Sequence, residues 1–212
     1  MSKNPPKVVF HRSYQSLLGA AAWSRLHPDI RQRFGADRCR QAVIYRGVMQ
    51  VVFMSVAGWL LAQVCRLIGT PLALHSGKNV AVDVQVYPDP LLDGMTWDRY
   101  YFFPGKKVNR VRSTKCIQED AGLIEVIGSG FGMYLAVYED GGALCFKSTR
   151  FFFTLANRKI VLPHLLTPGT TLVRQAALVD GRFQFSLEVR HPILGLVYYQ
   201  VGSFGEFQGA SE

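Results

Sequence analysis

The sequence predicts an α+β fold in which N-terminal helices pack on a large, strongly curved or barrel-like antiparallel β-sheet of about nine strands. Three observations lead there. Apolar residues recur at helical spacing through the first third of the chain; from about residue 78 the period changes to two; and Gly, Asp and Pro clusters then punctuate the chain at short intervals with no helical pattern between them. The expected organisation is a single domain, 1–212, with a helical part over 1–76, a β part over 77–205 and a polar tail over 206–212.

In "RSYQSLLGAAAWSRL", residues 12–26, Tyr14, Leu17, Leu18, Ala21 and Ala22 share a helical face. "PDIRQRFG" predicts a short helix with Pro28 in its first turn and Gly35 at its end. A third helix is expected over residues 47–69, "GVMQVVFMSVAGWLLAQVCRLIG", where 19 uncharged positions separate Arg46 from Arg66. As a helix those residues span ~28 Å, close to a bilayer's hydrocarbon thickness. At 100° per residue, however, Met49, Phe53, Val56, Leu60, Val64 and Leu67 form a bulky arc, opposite Ser55, Gly58, Ala62 and Arg66. That sorting favours a buried helix plugging the concave face of the sheet over a membrane span, which stands as the alternative.

In "VAVDVQVY" the residues Val80, Val82, Val84 and Val86 fall on one face, as a half-buried strand requires. Eight further strand patterns follow, ending in "RFQFSLEVR" and "LGLVYYQVGSF", with turns at Asp140-Gly141-Gly142, Asp180-Gly181 and His191-Pro192. Nine twisted strands do not stay flat, so the sheet should curl or close.

Composition is that of a globular protein, at 49% apolar and 18% charged residues. The four cysteines, Cys39, Cys65, Cys116 and Cys145, form no CxxC pair, which signals free thiols in a reducing cytoplasm and no metal site. No secretory leader pattern is seen at the N-terminus. The net charge of +9 is concentrated early, with nine Lys/Arg against two Asp in residues 1–46. Arg31, Arg33, Arg38, Arg40 and Arg46 make an anionic membrane surface a candidate partner; nucleic acid is disfavoured, because the aromatics there are not interleaved with the arginines.

The segments "TWDRYYF", "GLIEVIGSG", "YEDGGALCFKSTRFFF", "LPHLLTPG" and "DGRFQFSLEVRHPILGLVYYQVGSF" resemble an uncharacterised bacterial domain family known only as a domain of unknown function, mainly over residues 95–204. The W-x-R strand, the D-G-G-x-L turn and the L-P-x-x-L-x-P-G segment carry the likeness. The N-terminal "LHPDIRQRF" and "LIGTP" also resemble the family's start, although the helix between them often contains charges there. Family members stand alone or follow reductase-like or membrane-associated segments, so the resemblance implies a module rather than a named activity.

Candidate chemistry centres on the sheet. Trp97, Arg99 and Tyr101 share one strand face and Arg110 and Arg112 one face of the next, so pairing of the two strands would gather guanidinium and aromatic groups into an anion clamp. Glu125, Glu188, Arg174 and Arg190 interrupt apolar strands, and Phe151, Phe152 and Phe153 cannot all face one way. Trp97, Arg99, Tyr101, Arg110, Arg112 and Glu125, with Phe53, Trp59 and Leu60 of the expected plug and with Phe151, Phe153 and Tyr198, are the candidate contacts of an apolar or amphipathic, lipid-like molecule held without catalysis and without a cofactor. The competing reading is an accessory or catalytic domain of a reductase-type enzyme using His164, His191, Glu125 or Glu188 as acid or base. No GxSxG, HExxH or Walker sequence occurs, and "GSGFG" at residues 128–132 joins two strands rather than opening a helix.

Overall fold

Ser13 opens the first helix with a reciprocal capping box to Ser16, and Gly19, at φ 76°, ends it after five residues. The expected long helix is therefore two, α1 Tyr14–Leu18 and α2 Ala20–Arg25. Gly19 supplies a left-handed break that other residues rarely adopt. Helix α3, Pro28–Arg33, follows with Pro in its first turn and His27 accepting from the Asp29 amide. The computed structural model describes residues 13–38, 41–66, 72–156 and 158–207.

The third expected helix is not one element. Residues Val43–Met54 form strand β1, and only Val56–Cys65 are helical, as α4. Helical projection misread this stretch because Val43, Tyr45 and Met49 also alternate at period two, and Val, Ile and Tyr suit a pleated strand. Ser55 separates the two elements, its hydroxyl accepting from the Gly58 amide to cap α4. The β part thus begins at Val43, earlier than residue 77, and the remainder of the expected helix, 67–69, lies outside the described residues together with "GTP". Among the described residues no helix is long and apolar enough to cross a membrane.

Ten more strands follow: β2 Gly77–Asp89, β3 Gly94–Phe102, β4 Asn109–Gln118, β5 Gly122–Gly128, β6 Phe131–Asp140, β7 Ala143–Leu155, β8 Arg158–Val161, β9 Thr170–Ala177, β10 Phe183–His191 and β11 Gly195–Glu206. All pairings are antiparallel, β1 pairs with both β2 and β11, and β6 pairs with β7, so the sheet closes on itself. The result is a barrel of 10 strands, with β8 added outside the ring. Closure removes the open edges that a sheet of this size would otherwise expose. Strand β7 makes room for the extra strand by pairing with β9 through its first half and with β8 through its last residues. The two strands beyond the expected nine are β1, hidden in the uncharged stretch, and the four-residue, wholly exposed β8.

Alternation sends Val80, Val82, Val84 and Val86 inward, with Met95, Trp97 and Tyr101 beside them on β3. Outward faces carry ion pairs such as Arg46–Asp83 and Arg110–Asp98. Helices α1 to α3 close one end of the barrel. Tyr14, Phe34 and Phe146 meet there with ring centroids 5.2, 5.9 and 5.8 Å apart, and Arg33 lies over the Phe183 ring at 3.4 Å. The His27 amide donates to Gly142 O, and Arg25 pairs with Glu139, which fastens this cap to the β6–β7 turn. Helix α4 lies at the other end, where a Cβ on Gly58 would come 1.9 Å from the Val197 carbonyl oxygen. Only glycine permits that approach.

Candidate functional site

Because the strands are long and the cap seals one end only, the interior divides into a packed half and an open half. The packed half, nearest α1 to α3, retains a space of about 20 Å3 bordered by Met49, Trp97, Gln175, Phe183 and Phe204. Gln175 Oε1 is the one buried side-chain oxygen or nitrogen without a hydrogen-bond partner among the described residues. In the other half lies a cavity of about 210 Å3. It exceeds the roughly 150 Å3 apolar cavity that is enough to hold benzene.

The walls of this cavity are apolar: Ile127, Phe131, Met133, Phe151, Val173 and Val189 from five neighbouring strands. At its outer end stand Leu61 and Val64 of α4, with Leu162, Leu166 and Pro168 from the segment that joins β8 to β9. The "LPHLLTPG" segment, one of the stretches that carry the sequence resemblance, therefore supplies part of the mouth. On the β1, β2 and β11 side the same depth is filled instead. There Tyr101 and Tyr198 both donate to Gln200 Oε1 at 3.0 Å, and all three side chains are buried.

The charged groups gather at one place, on β3, β4 and β5, while Thr167 and Thr171 add hydroxyls near the mouth. Arg99, Ser113, Lys115 and Glu125 line the cavity, and Arg99 and Lys115 also border the small space beyond it. Lys115 Nζ donates to Glu125 Oε1 at 2.8 Å, with side chains 5% and 6% exposed. Arg99 Nη1 donates to Ser113 Oγ at 3.3 Å. Lys115 also lies 4.6 Å from the centre of the Trp97 ring. Burial pushes the Lys115 ammonium below the usual lysine range; Glu125 opposes this and Arg99 adds to it. Burial raises Glu125, yet the charges of Lys115 and Arg99 and the bonds from Lys115 and Ser113 outweigh it, holding the carboxyl below its usual range. The cavity wall thus carries two basic side chains and one carboxylate.

The sequence candidates divide between these places. Arg99, Glu125 and Phe151 line the cavity; Trp97 borders the small space. Tyr101 and Tyr198 form the filled side, and the Phe153 ring packs on Phe131 at 4.7 Å. The expected clamp does not form: register sets Arg110 opposite Tyr100 and Arg112 opposite Asp98, so both arginines point out of the barrel while Trp97, Arg99 and Tyr101 point in. Arg110 Nη2 instead donates to Asp98 Oδ2 at 2.6 Å, and Arg112 lies 5.9 Å from the Tyr87 ring. Phe53, Trp59 and Leu60 are not a plug, since all three are exposed, Phe53 on the outer face of β1 and the others on α4.

The acid–base set is divided between the interior and the outer surface. Glu188 faces outward in an ion pair with Arg190, whereas Glu125 is interior. His191 Nδ1 accepts from the Ile193 and Leu194 amides and so builds the β10–β11 turn, and His164 begins a short 3-10 turn. Lys115 and Ser113 escaped the sequence reading although they stand in phase with Asn109 and Val111 in "NRVRSTK". Charge does not separate Lys115 from Arg110 and Arg112; the alternation with Asn109 and Val111 does.

Fold and site together define a closed antiparallel β-barrel with an internal amphipathic chamber, open toward one end. Within that class the chain belongs to the family described as Domain of unknown function (DUF4166), whose match runs over residues 26–204 and so from the start of α3 nearly to the end of β11. No curated protein and no solved structure matches it.

Proposed function

We propose that this protein binds an apolar or amphipathic, lipid-like small molecule inside the barrel, without catalysis. The observation that carries the reading is the cavity of about 210 Å3 with largely apolar walls and one charged cluster. Such a distribution suits a ligand oriented by a few polar groups and held by burial of its apolar part. Native mass spectrometry of protein purified under non-denaturing conditions should show a co-bound mass, and an apolar fluorescent probe should bind saturably. Leu187→Trp, which fills the cavity from β10, should abolish both while the protein remains folded by circular dichroism. Absence of a co-bound mass together with no saturable probe binding rejects the reading.

A second observation favours transfer of that ligand at a membrane surface. Val56, Trp59, Leu60, Leu165, Leu166, Ile193 and Leu194 are exposed at the mouth end, Val56 at 80% and Leu166 at 79%. The turns belong together, because His191 Nε2 lies 3.4 Å from Leu165 O. Trp59 and Lys106 line one open groove beside α4, a pairing of an amphipathic ring and a cation suited to a headgroup layer. The docking surface would be this end, not the basic region first expected to dock, since Arg31 and Arg33 lie on α3 at the opposite end. Free thiols at Cys116 and Cys145, both pushed up by burial, fit a cytoplasmic setting at the membrane's inner face. Vesicles of anionic lipid should sediment the protein, and Trp59→Ser with Leu166→Ser should leave it in the supernatant.

A further inference from the structure

We propose that the ligand of this cavity is a monoanion, a hydrocarbon chain ending in a carboxylate, with its headgroup against Arg99 and Lys115 and its chain toward the mouth; this rests on the cavity reading above. Charge count comes first. Arg99 and Lys115 meet one interior carboxylate, Glu125, on the cavity wall, so the cluster carries one positive charge in excess. Lys115 is buried and Arg99 half-buried, so the excess charge is only partly hydrated, and a bound anion relieves it.

Donor geometry comes second. Glu125 is engaged by Lys115 at 2.8 Å, whereas the Arg99 guanidinium makes one side-chain hydrogen bond among the described residues, from Nη1 to Ser113 Oγ at 3.3 Å. A guanidinium has five N–H donors in a planar fork that matches a carboxylate bidentately. Ser113 is neutral, so this contact leaves the Arg99 charge to a second acceptor.

Position comes third. Arg99 and Lys115 border both the cavity and the small space toward the packed half, which puts them at the inner limit of the chamber. Leu61, Val64 and Leu166 stand at its outer limit, with apolar wall between. A molecule filling the cavity is thus offered cations inside and hydrocarbon contacts outside. One excess charge selects one negative charge. A phosphate monoester near neutral pH would overcompensate it, and an alkyl ammonium would add to it.

The test compares four probes of equal chain length, dodecanoate, dodecanol, dodecylamine and monododecyl phosphate, by displacement of a fluorescent probe from the full chain near neutral pH. Dodecanoate should bind roughly 10- to 100-fold more tightly than dodecanol, the range expected of a charge-assisted hydrogen-bond pair. Dodecylamine should bind most weakly, and the phosphate should fall below dodecanoate. Arg99→Gln should erase the preference for dodecanoate, read as the ratio of dodecanoate to dodecanol affinity within the same variant, and the wild-type comparison stands even if that variant folds poorly. Equal binding of carboxylate and alcohol, or preference for amine or phosphate, overturns the headgroup assignment and leaves the cavity reading intact. Failure of all four probes to bind overturns both.

Discussion

Lys115 Nζ sits 2.8 Å from Glu125 Oε1 inside the barrel, and Arg99 shares the same wall with no carboxylate of its own among the described ion pairs. The arrangement is asymmetric, so its two halves should respond differently to mutation. Glu125→Gln leaves the buried Lys115 cation without its carboxylate, on a wall shared with the half-buried Arg99, and should cost ~3–5 kcal/mol in urea unfolding. Lys115→Met leaves Glu125 beside Arg99 and should cost less than half as much. The double variant Lys115→Met with Glu125→Leu should recover most of the loss, because apolar replacement of a whole buried pair is often neutral. Equal losses in the two single variants would refute a net-positive cluster.

The same cluster sets a pH dependence whose sign follows from the two shifts. Glu125 is held below the usual carboxylate range in the fold, so between its folded and unfolded values the unfolded chain carries more protons. Its contribution is present above the unfolded value and is lost as pH falls through the folded one. Lys115 is also lowered, so in the window below the usual lysine value the unfolded chain again carries more protons and stability rises with pH. Melting temperature against pH should therefore show an acid rise that Glu125→Gln removes and an alkaline rise that Lys115→Met removes.

Much of the fold was legible because alternation is a strong signal wherever one face is buried. Val80 to Val86 and Trp97 to Tyr101 both read correctly as single faces. Closure was expected from strand number, yet its seam was hidden, since β1 sits in an uncharged run that also satisfies a helical projection. Glycine marks the difference in retrospect. Gly47 faces the Phe204 ring so closely that a Cβ would come 2.5 Å from its Cδ1, a need created by β11, more than 150 residues later in the sequence. The site was half legible for a related reason. Which of Arg99, Arg110 and Arg112 point inward depends on the phase of each strand, and Lys115 becomes significant only once Glu125 is known to lie across from it on β5.

The outer face offers a contrast within one strand. Arg110 donates from Nε and Nη2 to Asp98, whose side chain is only 2% exposed, and this pairing holds the Asp98 carboxyl below its usual range against the opposing effect of burial. Arg110→Ala leaves Asp98 with the Tyr87 and Tyr100 hydroxyls as hydrogen-bond partners, at 3.4 and 3.3 Å, and should cost about 1–3 kcal/mol. Arg112→Ala, which removes a distant aromatic contact and a weaker charge opposite Asp98, should cost less than half as much as Arg110→Ala. Neither variant should change probe affinity, since both side chains lie outside the barrel. Loss of binding in Arg110→Ala without unfolding would mean that the interior and exterior of β4 are coupled.

The last prediction concerns how the mouth is held. An exposed glycine within a helix normally gains about 1 kcal/mol on replacement by alanine. Gly58, in α4, is different, because the added carbon would meet the Val197 carbonyl oxygen at 1.9 Å, and that atom belongs to the backbone of β11. Gly58→Ala should therefore lift α4 away from the strand and cost about 1–3 kcal/mol despite the better helix propensity. Leu61 and Val64 move with α4, and they line the cavity. Release of a bound probe should accordingly quicken more than the stability loss alone predicts, read by stopped-flow dissociation beside thermal melting. A Gly58→Ala protein that melts higher than the parent would show that α4 does not rest on Val197.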